Sequence, residues 1–355
     1  MDAEQALVGA TLRAFCDKHV ESAWQHLDSP DTPLFEPLWE GLAEMGVTGL
    51  GLPEALGGLA LEPRAHFDIL HALGAACPAL GFALISHVHS VSLLCAAARN
   101  ELPPRLERVI ADGRFALVGS PLDRVPEPRF EVRMNGRISV TGATRAAIPY
   151  ADWLVIPMQA ESRLRLCVLR PDGGAVRFRS QASGHGLRLV PFGELLLDDA
   201  TVLEDCVFDW PTDARFARFA DGLLAALMTG MLSQLMQIAA GYAVERFQGG
   251  KLIHEHDAVQ QLLGPIELSR RCLGAIAEST LALAKPGDGG ASAFGVELLR
   301  RSGLDAIQVL GGYGYMEEYR VERTLRDANT LETFWIHSAQ RQRAIARQYC
   351  AELSE

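Results

Sequence analysis

No two cysteines are spaced Cys-x-x-Cys, no block of Lys and Arg occurs, no uninterrupted apolar stretch opens the chain, and no internal repeat or low-complexity tract is present. Each absence removes a class of function. The cysteines Cys16, Cys77, Cys95, Cys167, Cys206, Cys272 and Cys350 are odd in number and widely spaced, so they read as reduced and mostly buried rather than as a disulfide or zinc framework. With a net charge of −11 spread along the chain, nothing supplies the basic surface that phosphate backbones require, and nucleic acid is not an expected partner. The first residues mix Asp2, Glu4, Arg13, Asp17 and Lys18 with apolar side chains, which is wrong for a signal peptide and leads to the expectation of a cytoplasmic protein. His254 and His256 are two apart and would not share a helix face, and His71, His87 and His89 fall in a helical region as structural or surface histidines. No metal site is expected.

What is present is a chain of 355 residues with 48% hydrophobic side chains, long enough for two or three compact units around sizeable cores. Residues 222–244 are nearly free of charge and about long enough to cross a bilayer. Thr229, Ser233, Gln234 and Gln237 would lack partners in lipid, and no basic cluster or aromatic belt flanks the segment, so it reads as a buried bundle helix and no membrane is expected.

Three regions differ in pattern. Residues 1–112 carry apolar side chains at three- and four-residue spacing, predicting helices over 4–19, 37–45, 64–73, 85–99 and 105–111. Residues 113–210 break into short runs bounded by turn residues: 115–118, 130–134, 137–141, 153–157, 164–169, 176–180, 187–190 and 195–197. The Asn135-Gly136 pair predicts a hairpin between the second and third of these. Residues 211–355 return to long helical stretches over 222–246, 256–284 and 291–309, with Pro-Gly-Asp-Gly-Gly at 286–290 as a turn. The expected fold is therefore α+β and multidomain: an N-terminal helical domain, a middle β-barrel or sandwich domain, and a C-terminal four-helix bundle.

Four strings make this order specific. Residues 41–58 read Gly-Leu-Ala-Glu-Met-Gly-Val-Thr-Gly-Leu-Gly-Leu-Pro-Glu-Ala-Leu-Gly-Gly, and residues 245–256 read Glu-Arg-Phe-Gln-Gly-Gly-Lys-Leu-Ile-His-Glu-His. Residues 305–315 read Asp-Ala-Ile-Gln-Val-Leu-Gly-Gly-Tyr-Gly-Tyr, followed by Arg326-Asp327-Ala328, and residues 342–347 read Gln-Arg-Ala-Ile-Ala-Arg. Together they resemble the acyl-CoA dehydrogenases, over nearly the whole chain but most densely beyond residue 240.

The resemblance implies an oxidoreductase that uses FAD to introduce an α,β double bond into an acyl-CoA, with an electron-transferring flavoprotein as acceptor. In relatives the arginine matching Arg246 pairs with the FAD pyrophosphate, a use suited to a forked guanidinium. The same run brings Gln248 and His256 into the implied cofactor-binding set, although Gly249 stands where the family has phenylalanine and Asp257 where it usually has glutamine. The Gln-x-x-Gly-Gly string, here Gln308, Gly311 and Gly312, contacts the FAD of the neighbouring subunit in the family, its glycines letting backbone approach closely.

The catalytic pieces do not match. The family removes a proton from the α-carbon with a buried carboxylate, whose basicity burial raises. Ungapped counting from Arg326 and back from Arg347 places Trp335 at that glutamate's position, and an indole N–H cannot accept a proton. Glu332 lies three residues too early. Some relatives carry the base on the first long bundle helix, where ungapped counting from Arg246 gives Ala220, with Asp221 adjacent. Asp221 then reads either as the base, if the register slips by one, or as a carboxylate favoured at a helix amino terminus.

The strings that hold the family's flavin ring in its own β-domain are also absent. Gly-Ser-Pro-Leu-Asp-Arg at 119–124 and Thr-Arg-Ala-Ala-Ile at 144–148 stand in those regions, where Ser120 and Thr144 can still donate hydrogen bonds. Segments serving a neighbour's FAD persist while those serving the chain's own do not. That pattern is similar to the incomplete chain of heteromeric bacterial acyl-CoA dehydrogenases of fatty acid or steroid catabolism, in which a heterotetramer pairs unlike homologous subunits. Two alternatives stay open: a self-sufficient dehydrogenase assembled with itself and using Asp221, or a non-enzymatic CoA-ester binder or scaffold.

Overall fold

The computed structural model describes residues 3–29, 33–59, 61–99, 101–111, 113–122, 130–134, 138–147, 151–160, 163–171, 174–180, 186–190, 192–211, 215–282 and 290–354. The N-terminal part is helical: α1 (Ala3–Phe15), α2 (Phe35–Glu44), α3 (Pro63–Ala76), α4 (Pro78–Ala97) and the single turn α5 (Pro104–Glu107). The middle carries β1 (Phe115–Leu117), β2 (Phe130–Met134), β3 (Ile138–Ala147), β4 (Trp153–Ala160), β5 (Arg163–Leu169), β6 (Val176–Ser180), β7 (Phe192–Val202) and β8 (Val207–Asp209). The C-terminal part holds α6 (Arg215–Glu245), a small ribbon of β9 (Phe247–Gln248) and β10 (Lys251–Leu252), then α7 (Asp257–Ala282), α8 (Gly290–Leu310), α9 (Val321–Leu331) and α10 (Ser338–Glu352).

Proline opens α3, α4 and α5 at the first helical turn, where a missing N–H costs nothing. Helix α4 begins well before the expected residue 85. Its side chains are buried on nearly every face, so no polar stripe marks where it starts. Both α4 and α6 are long and apolar enough to cross a membrane, yet 89% and 67% of their apolar windows are buried inside the protein.

The eight middle strands form two four-stranded sheets, ordered β1-β4-β5-β8 and β2-β3-β7-β6. All pairs are antiparallel except β1 with β4. Strands β2 and β3 pair with Met134 opposite Ile138, while the Asn135-Gly136 turn between them lies outside the described residues. Leu154, Ile156, Leu166 and Val168 share one core with Val140, Leu195, Leu197 and the end of α4 at Val91 and Leu94. The run 187–190 is not a strand: Leu187 has a positive φ of 52° and the segment turns against α9 instead. Strand β8, absent from the sequence expectation, is a three-residue edge too short to show alternation.

A second core joins the two helical parts. Leu70, Leu73, Phe82 and Ile85 pack with Leu223, Leu227 and Met231 of α6 and with Leu273, Val296 and Trp335. Close approach of α3 and α6 depends on glycine on both sides: a Cβ on Gly74 would lie 2.0 Å from the Leu227 carbonyl oxygen, and one on Gly230 would lie 2.0 Å from that of His71. Helices α6, α7 and α8 pack on one another, with α9 and α10 against α8. A third core of Leu235, Ala239, Ile253, Ile266, Ala306 and Leu310 closes the far end of this bundle.

Candidate active site

The residue at the expected base position sits in a wide turn, Glu332–Ile336, that continues α9 and ends where His337 turns left-handed at φ 50°. Trp335 is only 3% exposed. Its ring stacks on Phe82 of α4 with centroids 3.7 Å apart and planes 21° apart, and Phe82, Phe192 and Phe334 extend the aromatic group. This position is thus filled by packed core.

The turn is also tied from outside. Ser120 Oγ donates to the Trp335 carbonyl at 2.6 Å and accepts from the Leu122 N–H and from Arg341 Nη2. A hydroxyl has one proton and two lone pairs, so Ser120 is fully engaged within the chain and is not a free donor for a flavin ring. Arg341, itself buried, also donates to the carbonyls of Ile336 and Leu122. The Thr144 side chain lies outside the described residues.

Neither alternative carboxylate is free. Glu332 accepts from the backbone N–H and hydroxyl of Ser338, capping α10. Asp221 is 2% exposed and accepts from Ser292 N–H at 2.8 Å, Ser292 Oγ at 2.5 Å and Ala291 N–H at 3.2 Å. Sequence reading put Asp221 at the start of its own helix. Because α6 begins at Arg215, Asp221 lies further in, and the helix terminus it serves is that of α8.

The Arg326-Asp327-Ala328 string is structural here. Asp327, 1% exposed, accepts from the Leu187 N–H, and Thr330 Oγ1 accepts from the Gly186 N–H. Burial pushes the Asp327 carboxyl up, opposed by the nearby Arg323 guanidinium. Arg326 forks onto Asp28 and Glu322, tying the N-terminal segment to α9.

The remaining predicted cofactor residues lie together at the far end of the bundle. Arg246 follows the last turn of α6, and Gln248 ends β9. Gly249 and Gly250, at φ 65° and 85°, form the tight turn of the ribbon. His256 Nε2 donates to the Gln248 carbonyl at 3.0 Å, and a Cβ on Gly249 would lie 3.3 Å from the same ring. Gln308 is exposed near the end of α8, and Gly311, at φ 62°, and Gly312 begin the next turn. A Cβ on either glycine would meet nothing within 4 Å. Tyr242 of α6 touches Tyr313 and Tyr319, and this tyrosine trio joins the ribbon end to the glycine turn. Arg246, Gln248, Gln308, Gly311 and Gly312 are all exposed, beside exposed Phe247 and Tyr315.

The chain matches a known family over both helical parts. The family model described as "Acyl-CoA dehydrogenase, N-terminal domain" covers residues 2–113, and "Acyl-CoA dehydrogenase, C-terminal domain" covers residues 217–347. The chain belongs to the acyl-CoA dehydrogenase family. It is 26% identical to the probable acyl-CoA dehydrogenase YngJ of Bacillus subtilis, over 97% of each chain. It is 23% identical to an L-prolyl-[peptidyl-carrier protein] dehydrogenase of Pseudomonas fluorescens, covering 87% of this chain and 89% of that one. Among solved structures, the prolyl acyl carrier protein oxidase AnaB superposes with a TM-score of 0.80 at 17% identity over 99% of each chain. The family is one of FAD-dependent oxidoreductases, and the α+β three-part fold is the family's.

Sequence reasoning missed Phe82, Phe192 and Arg341. No local signal marks them, because each acts through a partner far away in the chain.

Proposed function

We propose that this chain is the non-catalytic subunit of a heteromeric acyl-CoA dehydrogenase, completing the FAD site of a homologous partner that carries the base. One observation carries the reading: the base position holds Trp335, stacked on Phe82 inside the core. A buried aromatic stack has neither a proton acceptor nor room for one. Reading the chain as self-sufficient through Asp221 loses support because three donors from α8 already engage that carboxylate.

The residues that fit FAD are those facing outward. Arg246 offers an exposed fork to pyrophosphate oxygens, and Gly311 and Gly312 leave open backbone for close approach, with Gln248, His256 and Gln308 beside them. FAD bound there would supply the hydride acceptor for dehydrogenation of an acyl thioester. The thioester would be carried by CoA or by a carrier protein, the latter being what the names of two similar proteins give for those proteins. An electron-transferring flavoprotein would reoxidise the assembly.

Co-expression with the product of the neighbouring gene, followed by a flavin-to-chain ratio, tests this. One flavin per two chains is expected, with the chain colourless when purified alone. One flavin per chain, with the isolated chain reduced by an acyl-CoA, would overturn it in favour of a self-sufficient enzyme. Absence of flavin under every co-expression condition would leave only the scaffold reading.

A further inference from the structure

Residues 21–28, between α1 and α2, are fastened mainly by charge. They form two short turns, Glu21–Ala23 and His26–Asp28, and within the segment only Leu27 is buried. Their backbone bonds are local, such as that from the Leu27 N–H to the Trp24 carbonyl. The long-range hold comes from arginines that stand 298 and 299 residues later in the chain.

Arg320, Arg323 and Arg326 recur every three residues, so they line one side of α9 from its cap onward. Arg320 forks onto Glu21 at 2.9 and 2.7 Å and lies 4.0 Å over the Trp24 ring. Arg323 donates to the Trp24 carbonyl at 3.5 Å and stands 3.9 Å from Asp28. Arg326 forks onto Asp28 at 3.2 and 2.6 Å. Asp28 also meets Arg188 at 3.5 Å, in the turn of the β-domain that docks on Asp327.

Lifting the segment strands little charge. Glu322 still holds Arg326, Asp327 still lies 3.8 Å from Arg323, and Glu21 is half-exposed already. Little apolar burial is lost either, since Leu27 is the one buried side chain, whereas the adjoining core buries Leu70, Phe82 and Leu227. Few buried apolar contacts mark the part of a fold that opens below the global unfolding free energy. We propose that residues 21–28 are a latch that opens as a unit while the cores stay packed, with Arg320 and Arg326 as its catches. Opening uncovers the arginine side of α9 and takes Trp24 and Asp28 away from the buried Arg323. The latch does not depend on the subunit role proposed above, because it needs neither flavin nor a partner.

Chymotrypsin cleavage of the full chain after Trp24, followed by mass spectrometry through a urea series below the unfolding transition, tests this. When opening is fast relative to cleavage, the rate follows the open population and its urea dependence follows the surface exposed. A urea dependence of roughly half that of global unfolding or less is expected. The Arg320→Gln/Arg326→Gln double variant should be cleaved after Trp24 about tenfold faster in buffer, with α4 and α6 still uncut. Cleavage after Trp24 only with the urea dependence of global unfolding, or equal cleavage rates in the two proteins, would overturn the proposal.

Discussion

Trp335 lies face to face with Phe82, their ring centroids 3.7 Å apart, so the turn after α9 is joined to the first turns of α4. Removing the indole should leave a cavity among large side chains. Trp335→Ala is expected to lower unfolding free energy by about 3–5 kcal/mol, read from the midpoint of urea unfolding at constant slope. Trp335→Glu should be destabilising as well, because its carboxylate would be buried without a designed partner. It should not create dehydrogenase activity in the isolated chain. Acyl-CoA-dependent flavin reduction by that variant alone would contradict the auxiliary role.

Asp221 should behave as a cap rather than a base. Asp221→Asn keeps an acceptor for Ser292 and Ala291, whereas Asp221→Ala leaves buried donors unpaired. The expected losses are small for Asn and about 1–3 kcal/mol for Ala, by denaturant titration. In the co-purified assembly, Asp221→Asn should retain turnover; abolition of turnover with an intact flavin spectrum would reinstate the base reading.

Gly230 is held by sterics alone. Gly230→Ala drives a methyl into the His71 carbonyl of α3, and a loss of about 1–3 kcal/mol is expected in thermal or urea unfolding. Gly241→Ala on the same helix meets nothing within 4 Å and should be neutral or slightly stabilising.

Two histidines inside α4 set an acid limit. Burial holds the His87 ring down to about 4 and the His89 ring down to about 3, against an ordinary value of 6.5. Unfolded chains bind these protons first as pH falls below 6.5, so the unfolded state carries more protons and stability declines. The slope is roughly 1.4 kcal/mol per pH unit for each ring, ending only near the folded values. Unfolding free energy should therefore be lower at pH 5 than at pH 7.5. His89→Leu should flatten that decline, since it removes a ring that the unfolded chain protonates and the folded chain does not.

Arg246 should matter to flavin retention and not to folding, because its side chain is exposed. Arg246→Gln is expected to lower the flavin content of the co-purified assembly about tenfold or more at limiting FAD, with Arg246→Lys intermediate. The melting temperature of the isolated chain should be unchanged. Equal flavin content in all three proteins would remove Arg246 from the shared site.

Much of this was legible in the chain itself, for a physical reason. Helices with one wet face, such as α7 and α8, announce themselves by periodicity, and the Gln308 to Gly312 string carried the family resemblance. Counting alone leads to the expectation that Trp335 stands at the base position. Helix α4 hid its start because it is buried all round, β8 because it is short, and the 187–190 run because its apolar alternation reflects docking on Asp327 and Thr330 rather than pairing.

What the amino-acid order determined was the residue at the counted position: a tryptophan, Trp335, with no carboxylate there. Only the tertiary structure decided what takes its place. Phe82 and Trp335 stand in helical segments far apart in sequence, and Ser120 from the β-domain and Arg341 from α10 reach the same turn. Asp221 was equally undetermined, since a carboxylate near a helix start can serve its own helix, a substrate or a neighbour. Packing of α6 on α8 gave it two backbone N–H groups and a hydroxyl to hold, and a buried carboxylate takes the donors that folding brings to it.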